Sequence, residues 1–210
     1  MKKPNKEKSN DIIKLFLTLF IIIIISLAFG YFLRSTSKPK LQTEYSNGFT
    51  FTKVGNFWYT TIKNPIVNQE YNIDFRYAPS QVRNIIVTGN PDNFFVLLKQ
   101  GNLTASYITF DLDNNVSSAV TLAAADLSKL LKVINGITLV AACTSNQTTA
   151  CYERPIVTCE NQEDRALVIY LKQSTAPRIS MTKNCLTIEG ENEDLVRAYT
   201  KLLFLWYNIL

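Results

Sequence analysis

The sequence predicts a mixed α/β chain of α+β class. One transmembrane helix is followed by an outer domain with a mixed sheet, a β-rich N-terminal part and two or three helices packed on the sheet. Three observations carry this expectation: an unbroken apolar run near the N-terminus, period-two alternation from Phe49 to Tyr77, and two strand–turn–helix patterns in the C-terminal half. With 210 residues, 47% apolar and 19% charged, the chain has room for one globular domain plus an appendage. The expected segments are a cytoplasmic tail (1–11), the span (12–33), a polar tether (34–48), a β-rich part (49–90) and an α/β part with a Cys-rich loop (91–210).

The apolar run "IIKLFLTLFIIIIISLAFGYFL", Ile12–Leu33, carries one charge, Lys14, and would rise about 33 Å as a helix, against about 30 Å for a hydrocarbon core. Ala28-Phe29-Gly30 has the small-x-small spacing of a signal-peptidase site, but apolar residues continue through Leu33, which favours an uncleaved anchor over a cleaved signal peptide. Four lysines, Lys2, Lys3, Lys6 and Lys8, precede the run and set the expected orientation. The N-terminus is cytoplasmic, the C-terminal domain is extracytoplasmic, and the chain is a single-pass protein of the cell membrane with the lipid bilayer as a partner. The net charge of +5 belongs to this end: residues 1–34 hold Lys2, Lys3, Lys6, Lys8, Lys14 and Arg34 against Glu7 and Asp11, and the remainder is nearly balanced. No basic stripe remains for a phosphate backbone, so nucleic acid is not an expected partner.

"FTFTKVGNFWYTTI" alternates on both sides of Gly55-Asn56, a hairpin signal. "YNIDFRY" and "NIIVTG" are further strands. Asn90 as N-cap, Pro91 at the first helical position, Lys99 in the last turn and Gly101 just beyond predict a helix over Pro91–Gln100. "SYITFD" leads into a helix from Ser117 or Ser118, and "GITLVAAC" reads as a strand buried on both faces. "RALVIYLK", "PRISMT" and "CLTIEG" are three more strands. The acidic start of "ENEDLVRAYTKLLFLWYNIL" opens the last helix. That helix is apolar nearly all round, so part of Phe204, Trp206 and Tyr207 is either core or a surface for a protein partner.

Cys143, Cys151, Cys159 and Cys185 are separated by eight, eight and twenty-six residues, in a chain without histidine. Zinc sites pair ligands two to four residues apart, and a catalytic cysteine needs a base, so neither chemistry is favoured. An even number of cysteines beyond the span reads as disulfides. Three pairings are open to four cysteines; the expected one is Cys143–Cys151 and Cys159–Cys185. No cofactor or metal site is expected. Three glycosylation sequons, at Asn102, Asn115 and Asn146, are permitted outside the membrane.

"YITFDLDNNV" resembles the first motif of the haloacid-dehalogenase phosphohydrolases, a hydrophobic strand ending in Asp-x-Asp. The resemblance implies Asp111 as nucleophile and Asp113 as acid/base over Mg²⁺, with Thr144 after "ITLVAAC" as the second-motif hydroxyl. Asn115 stands where that family has Thr or Val, and no Asp-Asp pair follows an apolar strand. Asp111, Asp113 and Asn115 also open like a calcium loop, which fails at Val116 and Leu122. The order "YITFD", "AACTSNQTTACYERPIVTC", "VIYLK", "NCLTIEG", "EDLVRAYTKLL" resembles uncharacterised single-pass membrane-anchored proteins of small-genome archaea over the C-terminal half. It implies a cell-surface archaeal protein and no more. The leading functional expectation is therefore an anchored extracytoplasmic domain that binds or scaffolds. The alternatives are a phosphohydrolase using Asp111 and Asp113, and a subunit of a cell-surface assembly.

Overall fold

The computed structural model describes residues 6–36, 41–64, 67–100, 105–111, 118–146, 148–161 and 166–210, with the side chains of 6–15 and 32–36 left aside. The chain divides into two compact units, residues 1–41 and 42–210. The first contains one described helix, α1 (Lys6–Thr36), whose side chains over residues 16–31 are exposed. The predicted transmembrane helix is corrected here: among the described residues no helix is long and apolar enough to cross a membrane.

The second unit holds two sheets where a single mixed sheet was expected. The first is an antiparallel meander of β1 (Thr43–Ser46), β2 (Phe49–Val54), β3 (Phe57–Asn64) and β4 (Gln69–Phe75). Residues 43–46, read from sequence as part of the tether, are thus its edge strand. Gly55, at φ +61°, makes the β2–β3 turn, as the Gly-Asn signal requires. A short helix α2 (Pro79–Val82), strand β5 (Ile86–Thr88) and helix α3 (Pro91–Gln100) follow. The Asn90 cap is made: its side-chain Oδ1 accepts the Asn93 N–H at 3.0 Å. Gly101, the expected stop residue, lies outside the described residues.

Then come β6 (Ala105–Phe110), α4 (Ser118–Asn135), β7 (Val140–Cys143), β8 (Ala166–Gln173), β9 (Arg178–Thr182), β10 (Cys185–Gly190) and α5 (Glu193–Trp206). The second sheet has the order β5-β9-β10-β8-β6-β7. β10, β8, β6 and β7 run parallel, β9 is antiparallel to β10, and β5 is parallel to β9. The apolar strand β7 lies at the edge, with Val140 and Ala141 exposed; the strand buried on both faces is β8, where Ala166 to Ile169 are all fully buried.

The helices fill the space between the sheets. On one side of α5 the Phe204 ring meets Phe51 of β2 and Phe75 of β4, with centroids 5.4 and 4.8 Å apart. On its other side α5 packs on β9 and β10. A helix held between two sheets has no solvent face to keep polar, which explains why "KLLFLWYNIL" is apolar nearly all round. Leu202, Leu203 and Phe204 are fully buried in one core that takes residues from both sheets. Burying these side chains contributes about 2 kcal/mol each to holding the layers together. The β10–α5 turn is tight: a Cβ on Gly190 would sit 2.5 Å from the Leu195 nitrogen, so no larger residue fits there.

Candidate functional site

Among the described residues no α-helix contributes to the core on the far face of the six-stranded sheet. The segment after β7 covers it, around a small cluster of Ala142, Val157, Val168 and Cys185. That segment turns back at residues 155–157 and bonds to β7, the Cys143 N–H reaching the Pro155 oxygen at 3.0 Å and the Val157 N–H reaching the Cys143 oxygen at 2.9 Å. Four buried side chains are too small a core to hold the cover by themselves. Two disulfides do so: Cys143–Cys151 closes the loop at the end of β7, and Cys159–Cys185 fixes its far end to β10, with Cα–Cα distances of 5.9 and 5.4 Å. The cysteines are therefore structural, and none is a free thiol. On this face the Thr109 hydroxyl of β6 is buried with no hydrogen-bond partner.

The residues singled out by the phosphohydrolase resemblance are partly brought together. Phe110 pairs with Cys143, so Asp111 and Thr144 follow at the carboxyl ends of adjacent parallel strands. Asp111 is exposed and Thr144 half-buried. Asp113 lies outside the described residues, as do Asn102 and Asn115; Asn146 is exposed on the disulfide-bonded loop. Nearby, Lys172 of β8 and Glu189 of β10 form an ion pair at 3.1 Å. The Tyr170 phenol is held above its ordinary pKa of 10 by burial and then by the Asp111 charge, with Lys172 opposing. Among the described residues no group of three or more His, Cys, Asp or Glu is placed to hold a metal ion.

A second site was not legible in the sequence. A half-open cavity of about 830 Å³ lies between the first sheet and the ends of three helices. Its wall is aromatic: Phe95 of α3 stacks on Trp206 of α5 at 4.9 Å, and the Tyr207 ring meets Phe95 edge-on at 5.9 Å. The wall is held rigid from behind. Trp206 Nε1 donates to the Pro91 oxygen at 2.9 Å, the Tyr207 hydroxyl to Asn135 Oδ1 at 2.8 Å, and Asn64 Nδ2 to the Ile134 oxygen. Burial lifts the Tyr207 phenol above its ordinary value, so it stays neutral across the physiological range. Thr60, buried on the inner face of β3, lines the cavity. Lys99 sits at the rim, its Nζ 4.3 Å from the centre of the Phe95 ring.

These residues come from segments around 50, 60, 95, 135 and 207, and no local motif joins them. The one sequence signal was the aromatic end of the last helix, whose residues are spent partly on the core, Phe204 at 0% exposed and Trp206 at 6%, and partly on this wall. Compared with known proteins, the chain matches no family model, no curated protein and no solved structure.

Proposed function

We propose that residues 42–210 form a ligand-binding domain of an oxidising compartment, with the ligand seated against the Phe95–Trp206–Tyr207 wall. The observation that carries this reading is the cavity of about 830 Å³, within the usual size of small-ligand and peptide pockets, with apolar walls and a few placed polar groups. The disulfides support the compartment, because reducing cytosol does not maintain such bonds. The test is titration of the oxidised full chain with 1-anilinonaphthalene-8-sulfonate, an apolar anion suited to aromatic walls and a lysine rim. Saturable one-site binding is expected. Thr60→Tyr, which projects a ring into the cavity, should abolish it without lowering the urea midpoint. Absence of saturable binding, or binding untouched by Thr60→Tyr, removes the reading.

A second reading, metal-dependent phosphoryl hydrolysis, is favoured by the placement of Asp111 and Thr144 on adjacent strand ends. It requires Mg²⁺-dependent p-nitrophenyl phosphate hydrolysis that Asp111→Ala abolishes. A chain with no such hydrolysis ends it.

A further inference from the structure

The cavity is an opening in a sheet, and its shape names its ligand. The β2–β3 ladder contains three residue pairs, Val54↔Phe57, Lys53↔Trp58 and Thr52↔Tyr59, and then stops. Both strands continue: β2 stays paired with β1 back to Phe49, and β3 stays paired with β4 out to Asn64. The two hairpins therefore part beyond Thr52 and Tyr59, and the cavity lies in the parting, bounded by Phe49 and Thr50 on one side and by residues 60–64 on the other. A pocket against the face of a strand touches alternate residues. This one touches Thr60, Thr61, Ile62, Lys63 and Asn64 in succession, so it runs along the edge of β3.

In an antiparallel ladder, alternate residues turn their N–H and C=O to the same neighbour. Tyr59 and Phe57 face β2, and the alternation turns Thr61 and Lys63 the same way. Across the gap Thr50 faces β3 by the same rule, since Thr52 and Val54 do. The main-chain groups of Thr61 and Lys63 thus look into the opening with no strand beside them. Five residues of edge span about 16 Å. Beneath the edge lies the aromatic wall, and the lining side chains carry two lysines, Lys63 and Lys99, against one acid, Glu70.

Resting on the ligand-binding reading above, we infer that the ligand is an extended peptide segment. It adds to the Thr61–Lys63 edge as a β-strand, places alternate apolar side chains on Phe95, Trp206 and Tyr207, and turns acidic ones toward the lysine rim. Free main-chain donors and acceptors in a row suit a peptide backbone, which offers the same groups at the same spacing.

The test uses the oxidised full chain and a pool of synthetic heptapeptides with apolar residues at alternate positions and glutamate or threonine between them. The readout is amide hydrogen exchange at Thr61 and Lys63, with the naphthalene sulfonate titration run alongside. The peptide pool should slow exchange at both amides by about tenfold or more. An N-methylated version of the pool, which lacks the N–H groups that would bond to the edge carbonyls, should weaken this protection. Naphthalene sulfonate binding with no peptide protection overturns the peptide ligand and leaves the cavity reading standing. Equal protection by the N-methylated pool overturns strand addition. Failure of both probes overturns the two readings together.

Discussion

Replacing both Cys159 and Cys185 by alanine removes the staple that fixes the cover to β10. The bond closes a 26-residue separation in the chain, and the Cys143–Cys151 bond one of 8. Constraint of the unfolded chain, growing with the logarithm of loop length, gives about 3.5 kcal/mol for the first and about 2.5 kcal/mol for the second at 25 °C. Against a usual total stability of about 5–15 kcal/mol, the longer bridge is a large share. The melting temperature should fall by about 7–14 °C at 2–4 °C per kcal/mol for a domain of this size. The assay is urea unfolding of the wild type, the Cys143→Ala/Cys151→Ala pair and the Cys159→Ala/Cys185→Ala pair, each measured under oxidising conditions. Cys185 is buried, so alanine is chosen to avoid placing a serine hydroxyl in the Val157–Val168 cluster. The expected order of midpoints is wild type, then the short-loop pair, then the long-loop pair. A long-loop variant as stable as the wild type, or more stable than the short-loop variant, would refute the argument that the bridges act by restraining the open chain.

Phe204→Ala should cost about 3–5 kcal/mol, because the ring is fully buried between Phe51 and Phe75 and its loss leaves a cavity between the layers. Trp58 in the first sheet and Trp206 in the helix layer should still report one coincident urea transition; two separate transitions would show that the sheets do not share a core. Thr109→Val should be neutral or stabilising by roughly 1 kcal/mol, because it removes a buried hydroxyl that has no partner, and a clear loss in a urea melt would mean that the hydroxyl is bonded. The domain should lose stability above about pH 10. Burial, with the Asp126 contact at 2.6 Å, raises the Tyr199 phenol, and burial raises Tyr207. The unfolded chain then releases protons near pH 10 that the folded chain retains, so stability is full below that value and falls as pH rises. Lys201, lowered by burial and by Arg83, works in the opposite sense as one group against four, since Tyr77 and Tyr170 are raised as well. Tyr199→Phe and Tyr207→Phe together should flatten the alkaline limb of a stability–pH profile, and an unchanged limb would rule these phenols out as its cause.

The N-terminal helix illustrates a limit of composition. A twenty-two-residue run that is mostly apolar implies a membrane span by length and hydropathy, yet among the described residues no helix meets both requirements. Local signals elsewhere were read well because their physics is local. Asn90 caps α3 through a bond to a residue three positions on, and Gly55 turns a hairpin whose strands are its own neighbours. The disulfides are legible for a similar reason: spacing disfavours a zinc pair, and the shortest closures match the bonds formed.

What the sequence determined by itself was element type, since periodicity, caps and turn residues act over a few positions: α3 over Pro91–Gln100 and the strand Cys185–Gly190 fall where those signals put them. Tertiary structure alone decided which strand lies beside which. β7 is as apolar as a central strand and sits at an edge, and α5 is apolar all round because it lies between two sheets. The cavity belongs to the second kind: it exists because two hairpins of one sheet diverge after three ladder pairs, over an aromatic wall built from the ends of helices distant in sequence. Such a gap depends on the packing of layers that no local pattern encodes.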